Sequence, residues 1–315
     1  MQVYLGVDVG GTKIAAGLVD LSGKVLERQE VPTESWLGAK QVKLKILDIM
    51  KRMLEIDRYK VLAAGVGFPG IINHHTGETE QAANIKDWGK EKLGVIMQQA
   101  FPLLPVYFAN DANAAALGEL YFGAGKGFHD VCYITVSTGI GSGFISGGKL
   151  IVGKNGGAGE IGHMIIQPDG PLCGCGSRGC LEAFASGTAL ALRAKQRLAT
   201  GETSILHKKQ HISAIEVFAA ADAGDELAQA CVAEQNKYLG MGIVNVVNLF
   251  NPELVIVGGG VSKRGEKLLD PIRKYCSQHA FACNKHTPIV QAQLKGDVGI
   301  VGAAAVAISG KRDGR

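Results

Sequence analysis

The sequence predicts a duplicated α/β protein of two domains, and three observations carry that expectation. A strand, a glycine turn and a returning strand open the chain and recur in its middle. Helical periodicity follows each of these units, and 315 residues with 46% hydrophobic and 20% charged side chains suffice to bury two cores.

Residues 3–9 read as a strand, Gly10-Gly11 as a turn, 13–20 as the return, and 24–31, after Ser22-Gly23, as a third strand. Over 41–55, Val42, Ile46, Ile49, Met50 and Met53 recur at helical spacing. An apolar strand at 61–66 runs into a Gly-Pro loop, and the extended run 106–109 leads to a helix over 113–121. The second round has a strand at 131–136, a glycine turn at 138–143 and a return strand at 144–150, closed by Gly147-Gly148. Helices follow at 183–198, 212–223 and 226–249, then a strand at 254–257 ended by glycines 258–260, and a closing helix at 298–308. The reading gives a smaller α/β domain of 1–115 plus 298–315 and a larger one, 116–297, with a cysteine-rich loop.

The formal charge of +4 is spread along the chain apart from the tail 311–315, which reads as a solvated end and not as a nucleic-acid arm. Residues 1–5 hold no basic leader or apolar run of a secretory signal. The most apolar stretch, 242–261, is broken by Asn245, Asn248, Asn251, Pro252 and Glu253, so no membrane span is expected. The expected location is cytoplasmic. Seven cysteines are an odd number, and the crowding of Cys173, Cys175 and Cys180 suggests metal binding over a disulfide framework.

Asp8-Val9-Gly10-Gly11-Thr12-Lys13 puts a carboxylate at a strand end beside two glycines, which let backbone N–H groups approach phosphate oxygens while the Asp holds Mg²⁺. An ordinary hairpin reads the same way, but the second glycine turn, at Thr138 to Gly143, tilts the reading toward a nucleotide's phosphate tail. The run 65–70 satisfies a dinucleotide fingerprint after a strand, yet Pro69 and the polar 73–77 do not open the helix that fingerprint requires. His74 and His75 read as exposed turn residues. Asp111, after Asn110 at a strand end, reads either as a helix cap or as a general base that deprotonates a sugar hydroxyl. His163 with Cys173, Cys175 and Cys180 makes a Cys₃His set suited to a tetrahedral structural Zn²⁺, against the alternative of free buried thiols. Cys132, Cys231, Cys276 and Cys283 read as core or isolated thiols.

These residues closely resemble the ROK family (repressors, open reading frames and kinases), and within it the bacterial glucokinases. The likeness is carried by 8–13, 67–70, 110–116, 137–143, 158–163, 173–182, 257–260 and 296–304. It implies an actin-like, ribonuclease-H-like fold of two α/β domains with a cleft for a sugar and ATP·Mg²⁺, in a homodimer. By that likeness Asp111 is the base, and Asn110, Glu160, His163 and Glu182 bind sugar hydroxyls with the Gly70 backbone and Asn84. Asp8, Gly10, Gly11, Thr12, Lys13, Thr138 and Gly139 face the phosphates and Mg²⁺, and Gly259 and Gly260 the adenosine. The implied reaction is phosphorylation of a hexose 6-hydroxyl, glucose first. Many family glucokinases have glycine where this chain has Ser137 and Ser142, which keeps a broader hexokinase open. So do kinases for mannose, fructose, N-acetylglucosamine or N-acetylmannosamine. The family's DNA-binding repressors carry a helix-turn-helix ahead of the first motif, whereas seven residues precede Asp8 here and no basic stripe is present.

Overall fold

The computed structural model describes residues 1–80, 82 and 84–312. In chain order the strands are β1 (Gln2–Val9), β2 (Lys13–Val19), β3 (Val25–Pro32), β4 (Lys60–Phe68), β5 (Glu78–Thr79), β6 (Glu91–Lys92), β7 (Val106–Asn110), β8 (Val131–Val136), β9 (Ile140–Ser146), β10 (Lys149–Ile151), β11 (Leu254–Gly258) and β12 (Ile289–Gln291). The helices are α1 (Ala39–Leu54), α2 (Leu93–Ala100), α3 (Asp111–Phe122), α4 (Leu181–Ala185), α5 (Gly187–Ala199), α6 (Ala214–Asp222), α7 (Glu226–Phe250), α8 (Glu266–His279) and α9 (Val298–Arg312). One sheet has the order β3-β2-β1-β4-β7 and a second the order β10-β9-β8-β11-β12. In both, a meander of three consecutive strands is extended on its first strand by two later ones, so the duplication read from the glycine turns is present as repeated topology.

The chain divides into two compact units: unit 1 is residues 1–133, 143–159 and 292–315, and unit 2 is 134–142 and 160–291. In unit 1, β2 runs antiparallel to β1 and β3, whereas β4 runs parallel to β1 and β7. Helix α1 seals one face of this sheet: Val42, Ile46, Ile49, Met50 and Met53, all fully buried, meet Val3, Leu5, Val7 and Ile14. Each such side chain contributes about 1.5–3 kcal/mol by leaving water. Helix α9 seals the other face through Ile300, Ala304, Ala307 and Ile308. That helix lies almost on the backbone of the sheet. A Cβ on Gly65 would come within 1.8 Å of the Ala303 carbonyl oxygen, and one on Gly6 within 2.0 Å of that of Ile300.

In unit 2, the 25-residue α7 packs against α4, α5, α6 and α8. Asp225 caps its start, accepting from Ala228 N at 2.9 Å, and Asn251 ends it in the left-handed conformation at φ 45°. No helix among the described residues is long and apolar enough to cross a membrane.

Several sequence expectations shift. The return strand after the second glycine turn starts at Ile140, not at 144, so Gly141 and Gly143 lie within β9 and the turn is only Ser137 to Gly139. Gly143 is needed for packing: a Cβ there would meet the Ala116 side chain at 2.7 Å. The expected helix 183–198 is two helices, α4 and α5, divided at Ser186, whose side chain caps the second by accepting from Ala189 N. Helices α2 and α8 and strand β12 were not expected from the sequence. Helix α8 carries Pro271, which argues against a helix locally, and three-residue β12 is held only by its parallel pairing with β11.

The α9 packing sets a clear expectation. Gly65→Ala should cost about 3 kcal/mol or more, because the collision is with backbone that no rotamer change relieves. Gly89→Ala, whose Cβ would meet nothing, should stay within about 0.5 kcal/mol of the parent. Comparing the melting curves of the two variants checks this.

Candidate active site

Unit 1 gathers one set of candidate residues at the ends of β1, β4 and β7. Asp8 is the last residue but one of β1, and Gly10 to Thr12 form the turn into β2, closed by the Gly10 N bond to Lys13 O at 2.9 Å. The Thr33 hydroxyl donates to Gly10 O at 2.6 Å and fixes that turn from β3's end. Asn84 lies against the turn, since a Cβ on Gly11 would come within 2.9 Å of its own Cβ. Lys13 pairs with Glu30 at 3.1 Å, both side chains about half exposed.

At the end of β7, Asn110 is the cap of α3: its Oδ1 accepts from Ala112 N at 2.9 Å, and its Nδ2 donates to Gly70 O at 3.0 Å. The capping alternative weighed for Asp111 therefore belongs to its neighbour. Asp111 opens the helix itself, exposed, with Oδ1 also accepting from Ala112 N at 2.8 Å. Asp8 is more enclosed, because the first turn of α9 lies on it: a Cβ on Gly299 would come 2.0 Å from Asp8 Oδ2. Burial pushes the Asp8 carboxyl up to about 6, the charge of Asp111 pushes the same way, and Lys13 opposes. Two carboxylates in unlike surroundings, one enclosed and one open, fit a divalent cation and a base respectively.

Unit 2 gathers the rest. Glu160 stands exposed before the 3₁₀ turn Ile161–His163, whose His163 N donates to Glu160 O. His163, Cys173, Cys175 and Cys180 each offer a ligand atom, and all four atoms lie within 4.8 Å of one another. The Cys173 Sγ to His163 Nδ1 and Cys175 Sγ to Cys180 Sγ distances are both 3.7 Å. Zn–S bonds of about 2.3 Å place ligand atoms roughly 3.8 Å apart in a tetrahedron, so this donor set fits zinc. The loop closes this tightly because Gly179, at φ 78°, presses on the Gln167 carbonyl, where a Cβ would stand 1.7 Å from oxygen. Two residues beyond Cys180, Glu182 Oε2 accepts from Ile140 N at 2.8 Å, and its Oε1 lies 3.8 Å from Cys173 Sγ.

The turn Ser137 to Gly139 and the loop Gly259-Gly260 come together at the ends of β8 and β11: a Cβ on Gly259 would meet Val136 O at 2.4 Å. Beside them opens a cavity of about 730 Å³ lined by Thr138, Gly260, Ile212, Phe218, Lys263 and Arg264 among others. The Arg264 guanidinium lies 4.8 Å from the centre of the Phe218 ring and donates to Asp222 at 2.7 Å. Arg264 and then Lys267 hold the Asp222 carboxyl far below the usual carboxylate range. Thr138 and Gly260 of this lining are sequence-expected, whereas its α6 and 263–264 side was missed, since those segments carry no glycine motif. The one local signal was Ser213-Ala214-Ile215-Glu216, a capping box that the structure forms.

Two sheets of the same strand order, each begun by a strand, a glycine turn and a return, with Asp8 near the end of the first strand of the first sheet, define the actin-like, ribonuclease-H-like class. Residues 4–309 match the model of the ROK family. The chain belongs to that family. A glucokinase of Streptomyces coelicolor is 41% identical over 323 residues, with 98% of each chain covered. The structure of a ROK family glucokinase from Streptomyces griseus in complex with glucose and AMPPNP is 41% identical, covers 98% of this chain and 100% of its own, and superposes with a TM-score of 0.80. A ROK hexokinase from Thermus thermophilus is 35% identical with 99% of each chain covered and a TM-score of 0.85.

The Asp8 environment has a pH signature. Its carboxyl is raised on folding, so the fold favours the protonated form and stability is lost as pH rises from about 4 through about 6. Asp8→Asn is therefore expected to melt higher than the parent at pH 7.5, by about 1–3 kcal/mol, with the gap closing by pH 4. Melting temperatures of the two proteins across that range check the sign.

Proposed function

We propose that this protein is an ATP-dependent hexose kinase that phosphorylates the 6-hydroxyl of glucose. The observation that carries the reading is the carboxylate pair: Asp111 open at the first residue of α3, Asp8 enclosed beneath α9. Asp111 takes the proton of the sugar hydroxyl as it attacks the γ-phosphorus, and the bond to the β,γ-bridging oxygen breaks. Asn110 caps the helix that carries this base and offers its amide to the sugar, together with the Gly70 backbone and Asn84. Glu160, His163 and Glu182 read the remaining hydroxyls.

The nucleotide's phosphates lie along Gly10, Gly11, Thr12 and Lys13 and along Thr138 and Gly139, with the nucleoside in the cavity beside Gly259 and Gly260. The apolar Ile212 and Phe218 and the cationic Arg264 in that lining suit a heteroaromatic base. Asp8 would hold Mg²⁺, which would supply neutralisation of charge on the transferring phosphoryl group. His163, Cys173, Cys175 and Cys180 would hold a structural zinc; with Nδ1 facing the thiols, the other ring nitrogen of His163 would then be left to donate to a sugar hydroxyl. Three thiolate ligands suit a reducing cytoplasm, and a homodimer is part of the same reading.

Initial rates with ATP and Mg²⁺ across glucose, mannose, fructose, N-acetylglucosamine and N-acetylmannosamine test the substrate. Glucose is expected to give the highest kcat/KM, and an amino sugar doing so would replace it. Asp111→Asn should lower kcat by about a hundredfold or more with glucose affinity kept, and near-normal turnover would remove Asp111 from the base role. Cys175→Ala, or stripping the metal, should weaken glucose binding and lower the melting temperature together. Elemental analysis of protein purified without added metal is expected to find about one zinc per chain.

A further inference from the structure

The turn Ser137 to Gly139 is held in place by a single short stretch of unit 2. Gly187 N donates to Ser137 O at 2.7 Å and Thr188 N to Thr138 O at 3.4 Å. Ile140 N donates to Glu182 Oε2 at 2.8 Å. All three partners fall between Cys180, which is both a zinc-loop thiol and the residue capping α4, and the first turn of α5. From beneath, the amide of fully buried Gln235 donates to Ala185 O at 3.0 Å and to Ser186 O at 3.3 Å, so the stretch is itself fixed to α7.

Two of the three bonds to the turn are backbone to backbone. The third depends on a side chain, and its acceptor is a carboxylate, which makes it the stronger kind. It acts on a well-defined object. The Gly139–Ile140 peptide is a rigid plane; its N–H goes to Glu182, and its carbonyl accepts from Ser137 N at 2.9 Å. With both edges tied, this plane's rotation is set, and it closes the turn from its far end, while the two preceding planes, which carry the Thr138 and Gly139 amides, are held through their carbonyls by Gly187 N and Thr188 N. Gly139 is also pressed by the same group, since a Cβ there would stand 2.4 Å from Glu182 Oε2.

We infer that Glu182 is a positioning residue for the phosphate-facing turn in addition to its contact with the sugar, so that one carboxylate ties acceptor recognition to donor recognition. The inference rests on the kinase reading above. A residue that only touches sugar should have no influence on nucleotide affinity when sugar is absent, whereas a residue that sets the Gly139–Ile140 plane should.

The test is calorimetric titration of sugar-free protein with AMP-PNP·Mg²⁺, and separately with glucose, for the parent, Glu182→Ala and Glu182→Gln, with zinc content measured on each. Alanine removes the acceptor, and AMP-PNP affinity should fall roughly tenfold along with glucose affinity. Glutamine keeps a carbonyl oxygen for Ile140 N–H, so AMP-PNP affinity should return to within about threefold of the parent while glucose affinity stays weakened. Unchanged AMP-PNP affinity in Glu182→Ala, with glucose affinity lost, would overturn the positioning role and leave the kinase reading standing. A tenfold nucleotide loss in Glu182→Gln with zinc retained would also overturn it, and this variant decides alone if alanine prevents folding. A parent protein that binds neither AMP-PNP nor glucose would remove the kinase reading, and this inference with it.

Discussion

The near-contact of α9 with the backbone of β1 and β4 is the constraint on which the first half of the molecule turns. Gly6 and Gly65 bring the helix so close that its first turn reaches past the end of β1 and lies on Asp8. The carboxylate is enclosed for that reason, and its raised protonation range follows from the enclosure. Packing that looks purely structural, glycine against helix backbone, thus sets the electrostatics of the residue at the strand's end. The opposite face of the sheet, under α1, uses large aliphatic side chains and keeps its helix at an ordinary distance.

Much of this was legible in the sequence because the signals are local. The alternation of 3–9 and 13–20 with a glycine pair between them fixed two strands and their turn to within a residue or so. The His163 and cysteine spacing anticipated a cluster that the fold gathers within 4.8 Å. What stayed hidden was set by distant partners. Gly143 reads locally as a turn residue but packs against Ala116 of α3, and Ser186 reads as helix interior but its side chain caps α5. Glu119 is the plainest case. Fully buried on α3, it accepts from Ala124 N, Gln293 N and Leu294 N and so anchors the segment leading into α9, from residues 174 and 175 positions away. No pattern within α3 announces it.

The second half gathers His163, Cys173, Cys175 and Cys180 into one cluster. Its cysteine loop has little apolar content of its own, and the bridges Ile165 to Cys180 and Leu172 to Arg178 are isolated pairs, not a sheet. Such a loop holds its shape through its turns and its ligands. The helices behind it are tied down by side-chain amides. Gln235 donates to the Ala185 and Ser186 carbonyls and Asn284 to that of Val247 at 2.8 Å, close to where helices begin or end.

The stretch from Cys180 to Thr188 carries a constraint of length as much as of composition. It is pinned at one end by a thiol of the His163, Cys173, Cys175 and Cys180 cluster and at the other by amides bonded to Ser137 and Thr138. With the Cys180 pin kept, one residue inserted between Cys180 and Glu182 would rotate the carboxylate about 100° around the axis of α4, away from Ile140, and carry the Gly187 and Thr188 amides round with it. Chains that diverge from this one can therefore exchange side chains along α4 far more readily than they can alter the count of residues separating the thiol from the acid.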